Sequence, residues 1–348
     1  MRLVTVRLVG FGPFDDVVVP FCYDDGEPRP VTVVHGGGGV GKTSLLSAIA
    51  MTRPGHCIVP PPSFAGGEQA AQAITEYRLG QDDPERPHPL CLATPNTRVF
   101  VEDDAETLRR REQALFDRRA REEGAVFVSF GATRWFSRQP IALSAPLRSV
   151  ARYDVRTASA FDDASRGDLA RETKQALAYA AITGALTVGA EAHREFGALA
   201  QAMEHAVNHL VGLAGFEYLG VDPRSLEPRF GERGGSVVRF DALPTRARHL
   251  VAFGALTVRA LWAAYPARDP IEAEGVCAID EIDLYQDEAV LTGLVPALRR
   301  ALPAVQWIVT TTSPVVAASC DASDVLALRK IPERGGIDLY WGASARTH

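Results

Sequence analysis

The sequence is short of cysteine, and what it has is scattered. Cys22, Cys57, Cys91, Cys277 and Cys320 stand far apart with no CxxC spacing; that excludes a zinc knuckle and a disulfide framework. No apolar run reaches the length a bilayer demands, and Met1-Arg2-Leu3-Val4-Thr5 leads straight into strand-like sequence instead of a signal peptide. A soluble protein without a membrane role is expected, in the reducing cytoplasm. Basic charge is not in excess: 37 Lys and Arg against 43 Asp and Glu give a formal net charge of −6. Charge therefore does not indicate a surface built to coat nucleic acid, although a local basic groove would still allow contact with it. There is no internal repeat, no heptad run long enough for an extended coiled coil, no Ser/His/Asp triad pattern and no row of stacking aromatics. What is present is an ordinary globular composition, 46% hydrophobic over 348 residues, enough for one large α/β domain with an insertion or for two domains.

Two Val-, Leu- and Phe-rich runs at 2–9 and 16–21, separated by Gly10-Phe11-Gly12-Pro13, predict an opening antiparallel pair. Residues 31–34 predict a short buried strand and 43–51 a helix, with a glycine tract between them. Residues 53–70, with Pro60-Pro61-Pro62, read as loop, and the Pro-rich 80–97 as an exposed excursion. Strands are expected at 99–102 and 125–130 around a charged helix at 105–123. Helices are expected at 168–186 and 190–211, the second carrying an apolar stripe of Phe196, Leu199, Met203, Val207 and Leu210. A hairpin is expected within 226–240. The last third alternates: helix 245–264, strand 276–279, helix 287–301, strand 306–311, then strands 325–328 and 337–340. Such alternation after a glycine tract predicts a parallel-sheet core.

Gly36-Gly37-Gly38-Gly39-Val40-Gly41-Lys42-Thr43, followed by Ser44, satisfies GxxxxGK[ST] between a strand and a helix. A triphosphate presents many negative oxygens in a small volume. Consecutive backbone N–H groups wrap them only where side chains are absent and unusual backbone angles are open, hence the glycines. The helix that follows aims its positive end at the same charge. Lys42 is placed to reach the β- and γ-oxygens, and Thr43 to offer its hydroxyl to Mg²⁺. His35 reads as a packing residue beside the loop.

A second motif, Gly275-Val276-Cys277-Ala278-Ile279-Asp280-Glu281, ends an apolar run in two carboxylates. A buried parallel strand would carry both to its C-terminal end, where α/β sheets bind ligands. Asp280 would hold Mg²⁺ and Glu281 would orient or deprotonate the attacking water.

The opening strands, GGGGVGKTS, IDEID and VQWIVTTTSP together resemble the SMC/RecF-like branch of ABC-type ATPases, which includes OLD-like and related stand-alone ATPases. The resemblance covers both ends of the chain and leaves about 138–240 largely uncovered. It implies an α/β P-loop NTPase, an ABC-type ATPase head with a parallel sheet core, an N-terminal antiparallel β portion and a helical insertion, divided as 1–137, 138–240 and 241–348. It implies ATP and Mg²⁺ as ligands, hydrolysis to ADP and phosphate, and an ATP-dependent homodimer. Residues 282–287 would be the D-loop, ending in Asp287. Thr310-Thr311-Thr312-Ser313-Pro314 would be the switch, with Thr312 where the family usually has a histidine that contacts the γ-phosphate, so slow turnover is an expectation. Leu243-Pro244-Thr245-Arg246-Ala247 occupies the place of the signature but lacks its serine and glycine. Arg246 there either reaches the partner copy's ATP as an arginine finger does or lies on a solvated helix start with Arg248.

Weaker patterns stand beside these. Phe130-Gly131-Ala132-Thr133-Arg134 resembles the Tyr-Gly-x-x-Arg segment of some of these ATPases, a Q-loop equivalent, or is a strand-ending turn with a solvated arginine. His205 and His209 share a helical face and read as solvated, not as a metal pair. Arg109-Arg110-Arg111 and Arg118-Arg119, interleaved with glutamates, read as a solvated helix, and Asp162-Asp163 as a turn. The functional expectation is an ATP-driven switch acting on a partner protein or effector. The alternatives are a DNA-repair or DNA-maintenance ATPase, and a sensor that binds ATP and scarcely hydrolyses it.

Overall fold

Strands whose residues alternate between two apolar environments make a sheet that must be covered on both faces, and the largest sheet of this chain is built that way. The computed structural model describes residues 1–52, 56–57, 71–94, 103–122, 124–138, 140–141, 143, 167–186, 190–232, 235–331 and 336–346. In chain order the elements are β1 (Arg2–Phe11), β2 (Phe14–Pro20), β3 (Val31–His35), α1 (Lys42–Met51), β4 (His56–Cys57), β5 (Gln72–Arg78), β6 (Leu90–Ala93), α2 (Asp103–Glu122) and β7 (Val126–Phe130). Then come α3 (Ala170–Leu186), α4 (Ala190–Val211), β8 (Phe216–Val221), β9 (Pro228–Glu232), β10 (Val237–Arg239) and α5 (Thr245–Ala264). The last are β11 (Gly275–Ile279), α6 (Glu288–Ala301), β12 (Val305–Thr311), β13 (Val325–Lys330) and β14 (Ile337–Trp341).

The seven-stranded sheet runs β14-β13-β3-β12-β11-β7-β4 and is parallel except for β14, which pairs antiparallel with β13. Its two faces bury different residues of the same strands. Cys277 and Ile279 of β11, Trp307 and Val309 of β12, and Val325 and Ala327 of β13 pack with Leu177, Met203, Leu256 and Leu298 from α3 to α6. Val276 and Ala278, Ile308, and Leu326 and Leu328 point the other way, to Leu45, Leu46 and Ile49 of α1 and to Leu3, Val6, Leu8 and Tyr77 of a second sheet. Each fully buried leucine or isoleucine here is worth roughly 1.5–3 kcal/mol of transfer free energy. The central helix is α5, apolar on nearly every side: even His249 and Thr257 within it are buried, as expected of a helix enclosed by others.

The second sheet is antiparallel, in the order β2-β1-β5-β6. A side chain stitches it to the first. Buried Gln306 of β12 donates from Nε2 to the Leu3 carbonyl at 3.0 Å and accepts the Leu3 amide at 2.6 Å. Its amide stands in for a neighbouring strand. A third, small antiparallel sheet runs β10-β9-β8.

Most of the expected elements are present within a residue or two. The differences have physical reasons. The 80–97 stretch is an exposed excursion only in its first half: Pro84, Glu85, Pro87, His88 and Pro89 are exposed, while Leu90, Leu92 and Ala93 are buried and pair with β5, the prolines flanking the strand and not interrupting it. The sequence does not announce β5 and β8, because each has charged or glycine residues among its apolar ones; β5 is completed by β1, about 70 residues away, and β8 by the neighbouring β9. The expected strand at 99–102, the Asp162-Asp163 turn, most of 53–70 and most of 138–166 lie outside the described residues. Of the segment expected as an insertion, 138–240, α3 and α4 share the buried cluster that covers β11 and β12. Arg110, Arg111 and Arg118 of α2 are exposed, and Glu112 beside them pairs with Arg86. No helix among the described residues is long and apolar enough to cross a membrane.

Candidate functional site

The glycine tract leaves the C-terminal end of β3, which lies between β13 and β12 in the parallel part of the sheet, and turns into α1. Two glycines explain why no other residue serves. A Cβ at Gly36 would lie 2.6 Å from the Leu328 carbonyl oxygen of β13, a backbone atom that has nowhere to go. Gly41 caps α1 at φ 95°, in the left-handed region, and a Cβ there would meet Pro13 and Phe14 at 2.6 and 2.7 Å. Lys42 folds back over this loop: its Nζ donates to the carbonyls of Gly36 and Gly37, both at 2.7 Å. Burial pushes the Lys42 ammonium below its ordinary pKa, while Asp280, Glu281 and Asp283 pull in the opposite direction. Three carboxylates and an ammonium therefore converge at one strand end.

The acidic turn follows β11, the second strand over from β3. Asp280 is fully buried and both of its oxygens are engaged: Thr43 donates to Oδ2 at 2.9 Å and Thr310 to Oδ1 at 2.6 Å. Thr310 Oγ1 also accepts the Glu281 amide at 2.8 Å, so one hydroxyl holds both acidic residues. The Glu281 backbone takes φ 45°, uncommon for a residue with a side chain. Thr311 and Thr312 donate to the two oxygens of Asp283 at 2.7 and 3.1 Å. His35, at the end of β3, is held below its ordinary pKa chiefly by burial, consistent with a neutral packing residue.

The loop, Gly36 to Ser44, thus meets Asp280 through Thr43, and Glu281 through Asp280 and Thr310, while the Thr312 hydroxyl bonds to Asp283 beside them. Arg246 and Asp287 meet each other instead. Arg246 Nη1 pairs with Asp287 Oδ2 at 2.9 Å, with both side chains 40% or more exposed, while Asp287 Oδ1 caps α6 by accepting the Val290 amide at 3.1 Å. Arg248 donates to Thr245 Oγ1 at 3.0 Å and lies over the Phe136 ring. His205 and His209 hydrogen-bond to main-chain carbonyl groups, and no third His, Cys, Asp or Glu among the described residues joins them in a metal-holding group.

Two residues carry more of the site than the sequence revealed. Thr310 is one of three consecutive threonines, and only the pleat decides which of them faces Asp280. Arg134 is not a solvated turn residue: it is 3% exposed and donates to the carbonyl groups of Gly131, Asp280 and Glu281 at 2.9, 2.6 and 2.7 Å. Burial pulls its pKa down to about 10, still charged at neutral pH. The strand-Gly-x-x-Arg pattern was the available signal.

The residues present suit Mg²⁺. A hydroxyl, Thr43 Oγ1, and a carboxylate oxygen, Asp280 Oδ2, lie side by side at the mouth of the glycine loop, and both are hard oxygen donors.

No family model matches the sequence, and no curated protein matches it. Solved structures do match. One is the Smc head bound to the C-winged helix domain of ScpA, at 14% identity and TM-score 0.54 over 100% of both chains. A second is the Smc head domain with an extended coiled coil bound to the C-terminal domain of ScpA from Pyrococcus furiosus, at 16% identity and TM-score 0.51 over 97% of this chain and 96% of that one. A third is the Smc head domain with a coiled coil and joint from Pyrococcus yayanosii, at 12% identity and TM-score 0.51 over 98% of this chain and 97% of that one. At these identities the likeness is one of fold. The chain has the SMC-like fold of an ABC-type ATPase head, an α/β P-loop architecture with an antiparallel N-terminal sheet.

Proposed function

We propose that the chain binds ATP with Mg²⁺ at the glycine loop and hydrolyses it slowly, as a nucleotide-driven switch on a partner protein in the cytoplasm. The observation that carries this reading is the single network Thr43–Asp280–Thr310–Glu281, which joins the phosphate loop to the acidic strand end. Backbone amides of Gly37 to Thr43 would cradle the phosphates, and Lys42 would exchange its two loop carbonyls for phosphate oxygens. Thr43 and Asp280 would hold Mg²⁺, which neutralises charge on the β- and γ-phosphates when bound. Glu281 would orient water toward the γ-phosphorus: the new P–O bond forms as the bridging bond to the β-phosphate breaks, ADP leaves, and the water's proton passes to Glu281 or to the phosphate.

Arg246 and Asp287, exposed and paired, would serve the ATP of a second copy in a head-to-head homodimer. The head halves, 1–137 and 241–348, would transmit engagement through 138–240. Two of the similar head structures are bound to a domain of ScpA, which supports a protein as the partner here.

Isothermal titration with ATP and Mg²⁺ tests the site: Lys42→Ala should abolish measurable binding, and unchanged affinity would sink the assignment. Glu281→Gln should keep binding and lose about a hundredfold or more in turnover. If the wild-type protein binds ATP and turns none over, the chain is a sensor. Turnover stimulated by DNA would favour a DNA-maintenance role.

A further inference from the structure

The chemistry proposed above gives Arg134 nothing to do, yet a guanidinium buried at this depth is expensive unless its donors are used. Two of its three hydrogen bonds go to one turn. Nη1 donates to the carbonyls of Gly131 and Asp280, and Nη2 to that of Glu281. The ring of Phe253 lies 5.4 Å from its carbon, and Nε has no hydrogen-bond partner. The planar fork spans two consecutive carbonyls, a geometry that an ammonium on a flexible stem does not reproduce.

Those carbonyls belong to the turn in which Glu281 takes its left-handed φ of 45°. A side chain in that region costs roughly 1–2 kcal/mol, so the turn holds only if its surroundings fix it. Thr310 fixes the amide before the Glu281 Cα, and Arg134 fixes the carbonyl after it. With both flanking peptide groups tied, the direction in which the glutamate leaves the backbone is set.

We propose that Arg134 is a positioning residue for Glu281. It braces the acidic turn from beneath, and it acts on the rate of hydrolysis through Glu281 without touching the nucleotide. This is unlike a Q-loop role, in which the segment would contact the bound ligand. The inference rests on the reading of Glu281 as the group that orients water.

The test compares wild type, Arg134→Ala, Arg134→Lys and Glu281→Gln in three measurements: ATP affinity by titration, steady-state turnover, and amide hydrogen exchange over residues 279–284. Both Arg134 variants should bind ATP within about threefold of wild type and lose roughly 10–100-fold in kcat, the scale of a misplaced catalytic group. Their exchange over 279–284 should quicken by about tenfold or more, as a charge-assisted brace is lost. The lysine variant keeps a buried cation and remains informative if the alanine variant does not fold. The exchange measurement remains decisive if turnover is below detection. Unchanged exchange in a folded variant overturns the proposal, as does a kcat within about threefold of wild type. A loss of ATP affinity in step with kcat also overturns it, because it places Arg134 on the nucleotide. If Glu281→Gln hydrolyses at the wild-type rate, the assignment of Glu281 fails first, and a changed exchange rate would then report a purely structural brace.

Discussion

Replacing Thr310 by valine exchanges one hydroxyl for a methyl and leaves the side-chain volume almost unchanged. Thr310 is fully buried, so no solvent stands ready to take the place of the lost oxygen. Two interactions disappear. One is the short 2.6 Å donation to Asp280 Oδ1, and the other is the acceptance of the Glu281 amide at 2.8 Å. A hydrogen bond to a charged group contributes roughly 1.5–3 kcal/mol, and a part-buried amide left without an acceptor costs roughly a further 1–3 kcal/mol. The added methyl returns less than about 1 kcal/mol of apolar burial. The expected loss in the stability of the ATP-free protein is therefore about 1.5–6 kcal/mol. Urea unfolding measures it, read as a fall in midpoint at unchanged slope. Asp280→Asn, alone and combined with Thr310→Val, should give a coupling energy of about 1–3 kcal/mol, since the two side chains are in contact. A Thr310→Val loss under about 0.5 kcal/mol, or additive single and double variants, would refute the argument that this hydroxyl holds the acidic turn.

Other consequences are equally open to measurement. Gly36→Ala should leave the circular dichroism of the protein intact and weaken ATP binding more than about tenfold, because the new methyl can only be accommodated by moving the loop off β13; unchanged affinity contradicts the clash at the Leu328 carbonyl. Buried His249 is held neutral, its pKa pulled down to about 3 from 6.5 by burial and by Arg134. Between those values the unfolded chain binds a proton that the folded one refuses, so His249 should cost up to about 1.4 kcal/mol of stability for each unit that pH falls below 6.5. His249→Phe should flatten that slope between pH 6.5 and 5, and equal slopes for the two proteins would show the residue is not held neutral. Arg246→Ala should bind ATP and not hydrolyse it, and mixing it with Lys42→Ala protein should restore up to about half of one site's activity; normal hydrolysis by Arg246→Ala alone removes the arginine from the opposing site.

The sequence carried the site's ends and not its middle. GKT and the Asp-Glu pair are legible because their chemistry admits few residue types: glycines where the chain turns sharply and where backbone of β13 crowds the loop, and carboxylates where an apolar strand stops. Thr310 was hidden among identical neighbours, and only the register of β12 against β3 and β11 separates it from Thr311 and Thr312. Arg134 was ambiguous because an arginine after a strand is usually solvated; its burial depends on Phe253 and on a turn nearly 150 residues later. The pairing of Arg246 with Asp287 joins a helix start to a helix cap across β11, a relation that no local pattern encodes. Strand β5 was hidden for the same reason: charged and polar residues interrupt its apolar ones, and a partner about 70 residues away supplies what local preference does not.

The position of β3 bears on how the protein is made. The strand that carries the nucleotide loop is clasped by β12 on one edge and β13 on the other, and the ribosome delivers neither until the last part of the chain. At about 5–20 residues per second, the glycine loop waits on the order of 15–50 s between its own synthesis and that of its first flanking strand. Through that interval both edges of β3 are unpaired, which is when a nascent chain is open to wrong partners and to chaperones. A message cut short before codon 305 would still encode every residue from Gly36 to Ser44, and its product would lack both strands that pair with β3.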